Sequence, residues 1–472
     1  MSTKSILVLN GSPSGENSIT LYTAKYLETL FTDLDFETLQ VGQRIKSYEK
    51  DFSACRTALL SADLILFCYP VYTFLVPSQL HRFIELIKEQ NVDLSGKYAA
   101  QITTSKHFYD VTAHRFIQDN CDDMELRYLG GLSADMEDLL HEKGQKEAEA
   151  FFRFALWRME HGYCEPRITQ YGGVSEPASH VSASEHSEDT ASADRERRPG
   201  KIAVVADFTA GSPLEGMAEA FCRAVPYETE IVNLSEFHFT GGCLGCFHCA
   251  SDGTCVYKDG FDTLLRERIQ TADAIVYAYT VRDHSMGSRF KMFDDRQFCN
   301  GHRTVTMGKP VAYLVDGDLS REANLMMLME ARAQVGGNYL AGIAASCEDI
   351  GRVADTLCYA IEHDYQQPKN FYGVGGMKIF RDLIYQMQGL MREDHRFYKK
   401  NGFYDFPQKK KAQVAAMYAV GAMMQNKKLQ KKIGVKMTGG MVMPYQAVLK
   451  AAGKRAVKRP SLIGRVRQKP KK

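Results

Sequence analysis

Apolar and polar residues alternate in blocks along this chain. Ile6-Leu7-Val8-Leu9 is wholly apolar, the pattern of a strand covered on both faces. A Gly/Ser/Pro-rich stretch follows, and Leu21, Ala24, Leu27 and Phe31 then recur at helical spacing, predicting a helix from about Ser18 to Phe31. Buried strands are predicted at Leu64–Cys68, Tyr98–Thr103 and Met124–Leu129, with helices at Ser78–Lys88 and His114–Asp119 between them. Alternation of this kind closes as a parallel sheet with helices on both sides. The plan then repeats. Lys201–Ala206 parallels Lys4–Leu9, and Thr271–Val276 parallels Ser61–Leu66. Glu230–Leu234, Pro310–Val315 and Tyr339–Ala345 supply further strands. Met377, Phe380, Ile384, Met387 and Met391 form a late helical stripe, read as core or interdomain packing.

Between the repeats, Val174 to Gly200 is rich in Ser, Ala and Glu and has no apolar periodicity, so it reads as a linker. The expected division is α/β domains at 1–170 and 201–365, a flexible linker at 171–200, and a helical, basic extension at 366–472. At 472 residues the chain is long enough for two such cores. Its 44% hydrophobic and 25% charged residues exclude a disordered or fibrous protein. No apolar run approaches the ~20 residues of a membrane span, and the first residues lack a signal-peptide pattern, predicting a cytoplasmic protein. The net charge of +2 hides an asymmetry: 18 Lys and Arg but no Asp or Glu follow Asp405, which leaves residues 1–405 at −16. With no aromatics interleaved, this tail reads as solvated or docked on the acidic body, and no nucleic acid is expected as a partner.

The loop Asn10-Gly-Ser-Pro-Ser-Gly-Glu-Asn-Ser-Ile-Thr20 joins the first strand to the first helix. Small residues let the backbone approach an anion, the hydroxyls of Ser12, Ser18 and Thr20 can donate to it, and a helix N-terminus adds oriented N–H groups. It is neither a Walker loop nor GxGxxG, so it suits a monophosphate; alone, it could equally be a capping turn. Tyr69-Pro-Val-Tyr-Thr-Phe-Leu-Val-Pro77 ends the third strand as a rigid apolar wall suited to a flat ring. Thr103-Thr-Ser-Lys-His-Phe-Tyr109 closes the same edge with donors and aromatics. In a doubly wound sheet these loops flank the topological switch point.

These three loops resemble those of the NADPH-dependent FMN reductases and NAD(P)H quinone reductases of the flavodoxin-like fold, with Gly11–Pro13, Asn17–Ser18 and Pro70–Tyr72 carrying the likeness. The arginine those proteins carry after Gly-Ser-Pro is Ser14 here, leaving the phosphate to the loop amides. The resemblance implies two doubly wound sheets of order 2-1-3-4-5, FMN as cofactor and NAD(P)H as substrate. The FMN site would comprise Ser12, Asn17, Ser18, Ile19, Thr20, Pro70, Val71, Tyr72, Phe74, Thr104 and Ser105. Tyr72, Thr104 and Ser105 would donate hydrogen bonds near the ring carbonyls; Tyr72, His107 and Tyr109 are the catalytic candidates, the last two shaping the nicotinamide or acceptor pocket. In the second half the first loop, Asp207–Glu215, is longer and acidic, and Arg282, His284 and Arg289 stand where the Pro-Val-Tyr wall would be. That reads as loss of a flavin, the alternative being an anion site. The second domain could still cover the first domain's flavin, making a pseudo-dimer within one chain; homo-oligomers stay open.

Cys243, Cys246, Cys249 and Cys255 are spaced C-x2-C-x2-C-x5-C, close to ferredoxin-type runs and unlike the longer finger between zinc-binding pairs. The quartet is similar to that of iron–sulfur flavoproteins, implying a 4Fe–4S cluster beside FMN; free thiols are the alternative. His248 reads as a bystander, and the other eight cysteines as small core residues. The expected function is an FMN-dependent NAD(P)H oxidoreductase passing electrons to a quinone, flavin or similar small acceptor, or singly through the cluster. Two alternatives remain: an electron carrier that uses no NAD(P)H and docks a ferredoxin-like partner, and a thiol-based redox or metal sensor.

Overall fold

The computed structural model describes residues 4–165, 197–246 and 248–424; most of the linker and of the basic tail lies outside them. In the first half, β1 (Ser5–Asn10), β2 (Asp35–Leu39), β3 (Leu64–Pro70), β4 (Tyr98–Ser105) and β5 (Arg127–Asp135) pair in parallel in the order 2-1-3-4-5. Helices α1 (Ile19–Leu30), α2 (Val41–Tyr48), α3 (Ser53–Ser61), α4 (Ser78–Glu89), α5 (Asp110–Asp123) and α6 (Glu142–His161) connect and flank them. The second sheet repeats this order with β6 (Lys201–Asp207), β7 (Glu228–Asn233), β8 (Ala274–Thr280), β9 (Pro310–Asp316) and β10 (Tyr339–Ala344). Its helices are α7 (Pro213–Ala224), the short α8 (Cys249–Asp252) and α9 (Phe261–Thr263), α10 (Gly287–Arg296), α11 (Ala323–Gly336) and α12 (Cys347–Glu362). α13 (Phe371–Gln386) and α14 (Arg392–Lys400) complete a compact body that runs through Phe403 and contains both sheets. From Tyr404 onward the chain forms a second unit, whose described part includes α15 (Lys411–Met424).

Strand periodicity sorts the core into layers. Ile6 and Val8 of β1 face an outer core with Leu21, Leu27 and Phe152, while Ile202 and Val204 of β6 face another with Leu214, Phe221 and Val353. The opposite faces, Leu7 and Leu9 of β1 and Val205 of β6, belong to one continuous core that also holds Phe83, Phe116, Phe261, Phe290 and Phe293. The two halves thus share their central layer.

At that layer α4 packs against α10. Neither helix has a capping side chain of its own, so their first N–H groups need partners from elsewhere. Each takes one from the other half. The Asp295 carboxylate accepts from the Ser78 N–H at 2.8 Å and the Thr73 hydroxyl at 2.8 Å. The Glu85 carboxylate accepts from the Ser288 N–H at 2.7 Å and its hydroxyl at 2.6 Å. Fully buried Lys291 pairs with Asp295 and donates to the Tyr72 carbonyl at 2.9 Å.

Several elements differ from the sequence-based expectations. The helix expected over His114–Asp119 extends to Asp110–Asp123, and the following strand runs Arg127–Asp135, not Met124–Leu129. Gly130 and Gly131 interrupt that strand's apolar run and hid its second half. β2 was missed because it is a short edge strand with no buried residue. Of the eight cysteines outside the quartet, Cys55, Cys68, Cys121, Cys299 and Cys358 are buried, but Cys164 and Cys347 are exposed and Cys222 is half-buried. Among the described residues no helix is long and apolar enough to cross a membrane.

Asp295→Ala would leave the Lys291 ammonium buried without its carboxylate, and should cost about 3–5 kcal/mol in denaturant unfolding. The double variant Lys291→Met/Asp295→Leu should lose less than the single one, because it buries no unpaired charge.

Candidate functional site

The loop between β1 and α1 is built by its own polar side chains. Asn10 Nδ2 donates to the Gly15 carbonyl at 3.0 Å and to Gln40 Oε1 at 2.7 Å, and Asn10 Oδ1 accepts from the Ser12 N–H at 3.2 Å. Ser18 caps α1 by accepting from the Leu21 N–H at 3.4 Å, which leaves its hydroxyl proton free to donate outward. Thr20 and Thr104 join hydroxyls at 2.5 Å, tying this loop to the end of β4. Gly42 of α2 lies so close to the loop that a Cβ there would strike the Ser12 carbonyl.

After β3, a tight turn bridges Tyr72 and Leu75, with Thr73 and Phe74 both in the left-handed region. Backbone strain of this kind at non-glycine residues collects at functional sites. Burial pushes the Tyr72 phenol well above its ordinary value, so it remains a neutral donor. Its ring packs edge-on against Phe298 of the second half at 5.6 Å.

The cysteine loop comes to the same place. Gln79 of α4 donates to the Cys243 carbonyl at 3.2 Å, and Lys46 of α2 donates to the Thr240 carbonyl. Gly245 has φ +61°, and a Cβ on it would collide with the Tyr72 hydroxyl, so only glycine permits this approach. Arg296 clamps the loop's flanks, binding both Asp259 oxygens at 3.0 and 2.8 Å and the Gly241 carbonyl at 2.9 Å, beneath the Tyr257 and Phe261 rings. Cys249 Sγ donates to the Phe298 carbonyl at 3.1 Å. Burial pushes the Cys243 thiol up to about 12 and the Cys249 thiol up to about 11, and the neighbouring cysteines add to both shifts.

One cavity of about 650 Å³ joins these parts. Ser12, Asn17, Ser18, Ile19, Thr20, Pro70, Val71, Tyr72, Phe74, Thr104 and Ser105 all line it, and so do Cys243, Cys246, Cys249 and Cys255. His248 lines it as well. His107 and Tyr109 do not. His107 is exposed and contacts Ser133 at 3.0 Å, while the Tyr109 ring packs tilted against Phe74 at 4.5 Å. Sequence reasoning missed the opposite wall, where Phe298, His302 and Arg332 meet Phe380, Leu383, Met387 and Met391. The helical stripe was the available signal: Ile384 packs in the core, but Phe380, Met387 and Met391 turn to the cavity. Burial holds the His302 imidazole down at about 4, so it is neutral.

At the matching edge of the second sheet lies a polar crevice of about 670 Å³, lined by Asp207, Ser212, Arg282 and Arg289 with Glu49 and Glu85 of the first half. Two of its region's three basic groups are paired within the chain. Arg289 meets Asp207 at 3.3 Å, and His284 meets Asp123 and Glu322 at 3.1 Å each.

Two parallel sheets of flavodoxin-like order, with a loop-lined cavity at a switch point, define an α/β ligand-binding protein. The pattern of the NADPH-dependent FMN reductase family matches residues 5–115 and 203–344, more than half of the chain, and the chain belongs to that family. It is therefore an oxidoreductase, and its halves are two copies of the family's fold. An iron–sulfur flavoprotein of Archaeoglobus fulgidus is 27% identical over 190 residues, covering 38% of this chain and 86% of that protein. The FMN-dependent NADH-azoreductase of Bacillus anthracis, solved with FMN, shares 15% identity over 32% of this chain and all of its own, with a TM-score of 0.27. The NAD(P)H:quinone oxidoreductase of Methanothermobacter marburgensis shares 9% over 35% of this chain and 99% of its own, also at 0.27. These two structural likenesses are too distant to bear on function.

Gly42→Ala should push α2 off the Ser12 loop and destabilise the chain by roughly 1–3 kcal/mol, read by denaturant unfolding.

Proposed function

We propose that this chain takes hydride from NAD(P)H onto one FMN bound at the edge of the first sheet, beside an iron–sulfur cluster on Cys243, Cys246, Cys249 and Cys255. Electrons would leave to a quinone, flavin or similar small acceptor, or singly through the cluster. The observation that carries this reading is the shared cavity: every predicted FMN-site residue and all four cysteines line it. FMN, when bound, supplies a ring that accepts two electrons as hydride and releases them together or one at a time.

The chain's own residues would do the rest. Ser12, Ser18 and Thr20 hydroxyls and the start of α1 suit a terminal phosphate, with Ser14 adding no charge. Val71 and Phe74 form an apolar wall for the ring, and the neutral Tyr72 phenol and Thr104 offer hydrogen bonds at its edge. Phe298, Phe380 and neutral His302 suit a flat, uncharged acceptor and keep water from it. For the metal centre, the two-residue spacers between Cys243, Cys246 and Cys249 let successive thiolates converge on one centre, as in ferredoxin-type runs. The Arg296 guanidinium, already paired with Asp259, also reaches Cys255 and offers it a donor. The ion-paired crevice of the second sheet supports a single flavin per chain.

Anaerobically purified protein should yield about one FMN and about four irons per chain, and NAD(P)H should bleach flavin and cluster absorbance together. Cys246→Ser should abolish the iron and largely spare FMN. Ser12→Asp should weaken FMN binding at least ~10-fold by like-charge repulsion, equivalent to ~1.4 kcal/mol. FAD as the sole bound flavin would overturn the cofactor assignment. Iron absent even after anaerobic reconstitution would overturn the relay and leave a plain FMN reductase.

A further inference from the structure

The seam between α4 and α10 is reciprocal, and its repeat is broken in one place. The third strand of each sheet leads into the same turn. Tyr72 and Leu75 exchange main-chain hydrogen bonds at 2.8 and 2.9 Å, and Arg282 and Ser285 do so at 2.8 and 2.9 Å. The central pairs, Thr73–Phe74 and Asp283–His284, are all left-handed. The helix after each turn holds a serine bound by a carboxylate of the other half, Ser78 and Ser288. Counting from those serines places Lys291 opposite His81, Asp295 opposite Glu85, and Thr73 opposite Asp283.

On one side the position is filled by a cation. The Lys291 ammonium meets Asp295, the Thr73 hydroxyl at 2.6 Å and the Tyr72 carbonyl at 2.9 Å. On the other side His81 stands in place of the lysine. Its ring is fully buried, and neither ring nitrogen has a hydrogen-bond partner. Nε2 lies 3.8 Å from Glu85 Oε1 and 4.0 Å from Asp283 Oδ2, too far for hydrogen bonds. All three ligand atoms lie within 4.8 Å of one another. Two donors each ~2.1 Å from one ion, at angles of about 90–120°, stand about 3.0–3.6 Å apart, so the three atoms would draw somewhat closer on an ion than they stand here.

Charge favours a cation here too. Arg82 pairs with Glu49, Glu85 and Glu89, and Lys88 with Asp123 and Asp283. His284 contacts a carboxylate through each ring nitrogen, Asp123 and Glu322, so it donates from both and is cationic. With Arg282, which lines the crevice beside Glu85, six carboxylates therefore face four cations. Lys291 also faces the His81 ring, but Asp295 matches its charge.

We infer that His81, Glu85 and Asp283 bind a divalent transition-metal ion that joins the two halves, in the place matching the Lys291 ammonium. One imidazole and two carboxylates suit manganese, iron(II) or zinc. Arg82 and Lys88 hold the carboxylates from outside, as outer partners of metal ligands do. Glu85 lines the polar crevice, which gives the ion a route from solvent. None of the three residues lines the cavity at the edge of the first sheet, so the site is separate from the flavin loops and the cysteines.

Mn²⁺ is the probe, because thiolates bind it weakly and the quartet does not compete. The full-length protein, purified with its cofactors, is titrated with Mn²⁺ while the resonance signal of the free ion is followed. The expected result is uptake of about one ion per chain with a raised Tm. Asp283→Asn should weaken that uptake at least ~10-fold and remove the Tm shift. His81→Gln, which leaves the carboxylates in place, should do the same and serves if the first variant does not fold. No uptake by the unaltered protein up to about 1 mM Mn²⁺, or full uptake by either variant, overturns the assignment.

Discussion

Burial of charge between α4 and α10 is the constraint on which the rest of the molecule depends. A carboxylate such as Asp295, with no exposure at all, is tolerable in a protein interior only when several donors meet it. Here those donors come from both halves: Lys291 from its own helix, Ser78 and Thr73 from the other. Glu85 is held the same way in the opposite direction. A helix start that is capped only by the neighbouring half has one satisfactory arrangement, and a slide of one residue would strand a charge. The seam therefore fixes the two sheets far more sharply than apolar contact alone, which tolerates repacking.

That fixed arrangement is what brings the cysteine loop to the first sheet's edge. The loop follows β7, the edge strand of the second sheet, yet it is received by Gln79, Lys46 and Tyr72 of the first half. Two of these receiving residues belong to α2 and α4, the helices packed beside the seam. The cavity thus has one wall of hydroxyls and small residues and another of aromatics, thiols and a neutral imidazole. Such a division gives a bound molecule a polar end and an apolar body, the usual logic of cofactor-sized sites.

Much of this was legible in the sequence, and the exceptions have physical reasons. β1, β3, β4, β6 and β9 read directly as apolar runs because helices cover both their faces. β2 is an edge strand with mixed polarity, and β5 carries two glycines, so neither advertises itself. The hydroxyl loop, the Pro-Val-Tyr turn and the cysteine quartet were visible because unusual residue types are concentrated in short stretches. The far wall was not, since His302, Arg332 and Phe380 meet only through tertiary folding. Glu85 and Asp295 were hidden for another reason. A carboxylate at i+4 from a histidine or lysine looks like an exposed helical pair, and only the packing of one half against the other shows that it is buried.

The chain's internal repeat also sets how the cavity behaves on dilution. Where two separate subunits form a site between them, the site is half lost once the concentration falls below the dissociation constant. Here both walls belong to one polypeptide, so the second wall is always present at an effective concentration set by tether and fold, on the order of millimolar or higher. A twofold assembly of identical subunits must also repeat each residue on both sides of its axis. A tandem chain is free of that rule, and this one uses the freedom: lysine on one side of the seam faces histidine on the other, and a hydroxyl-lined cavity is matched by an ion-paired crevice. Asymmetry at matched positions is thus open to one folded molecule, with no second copy required to hold the site together.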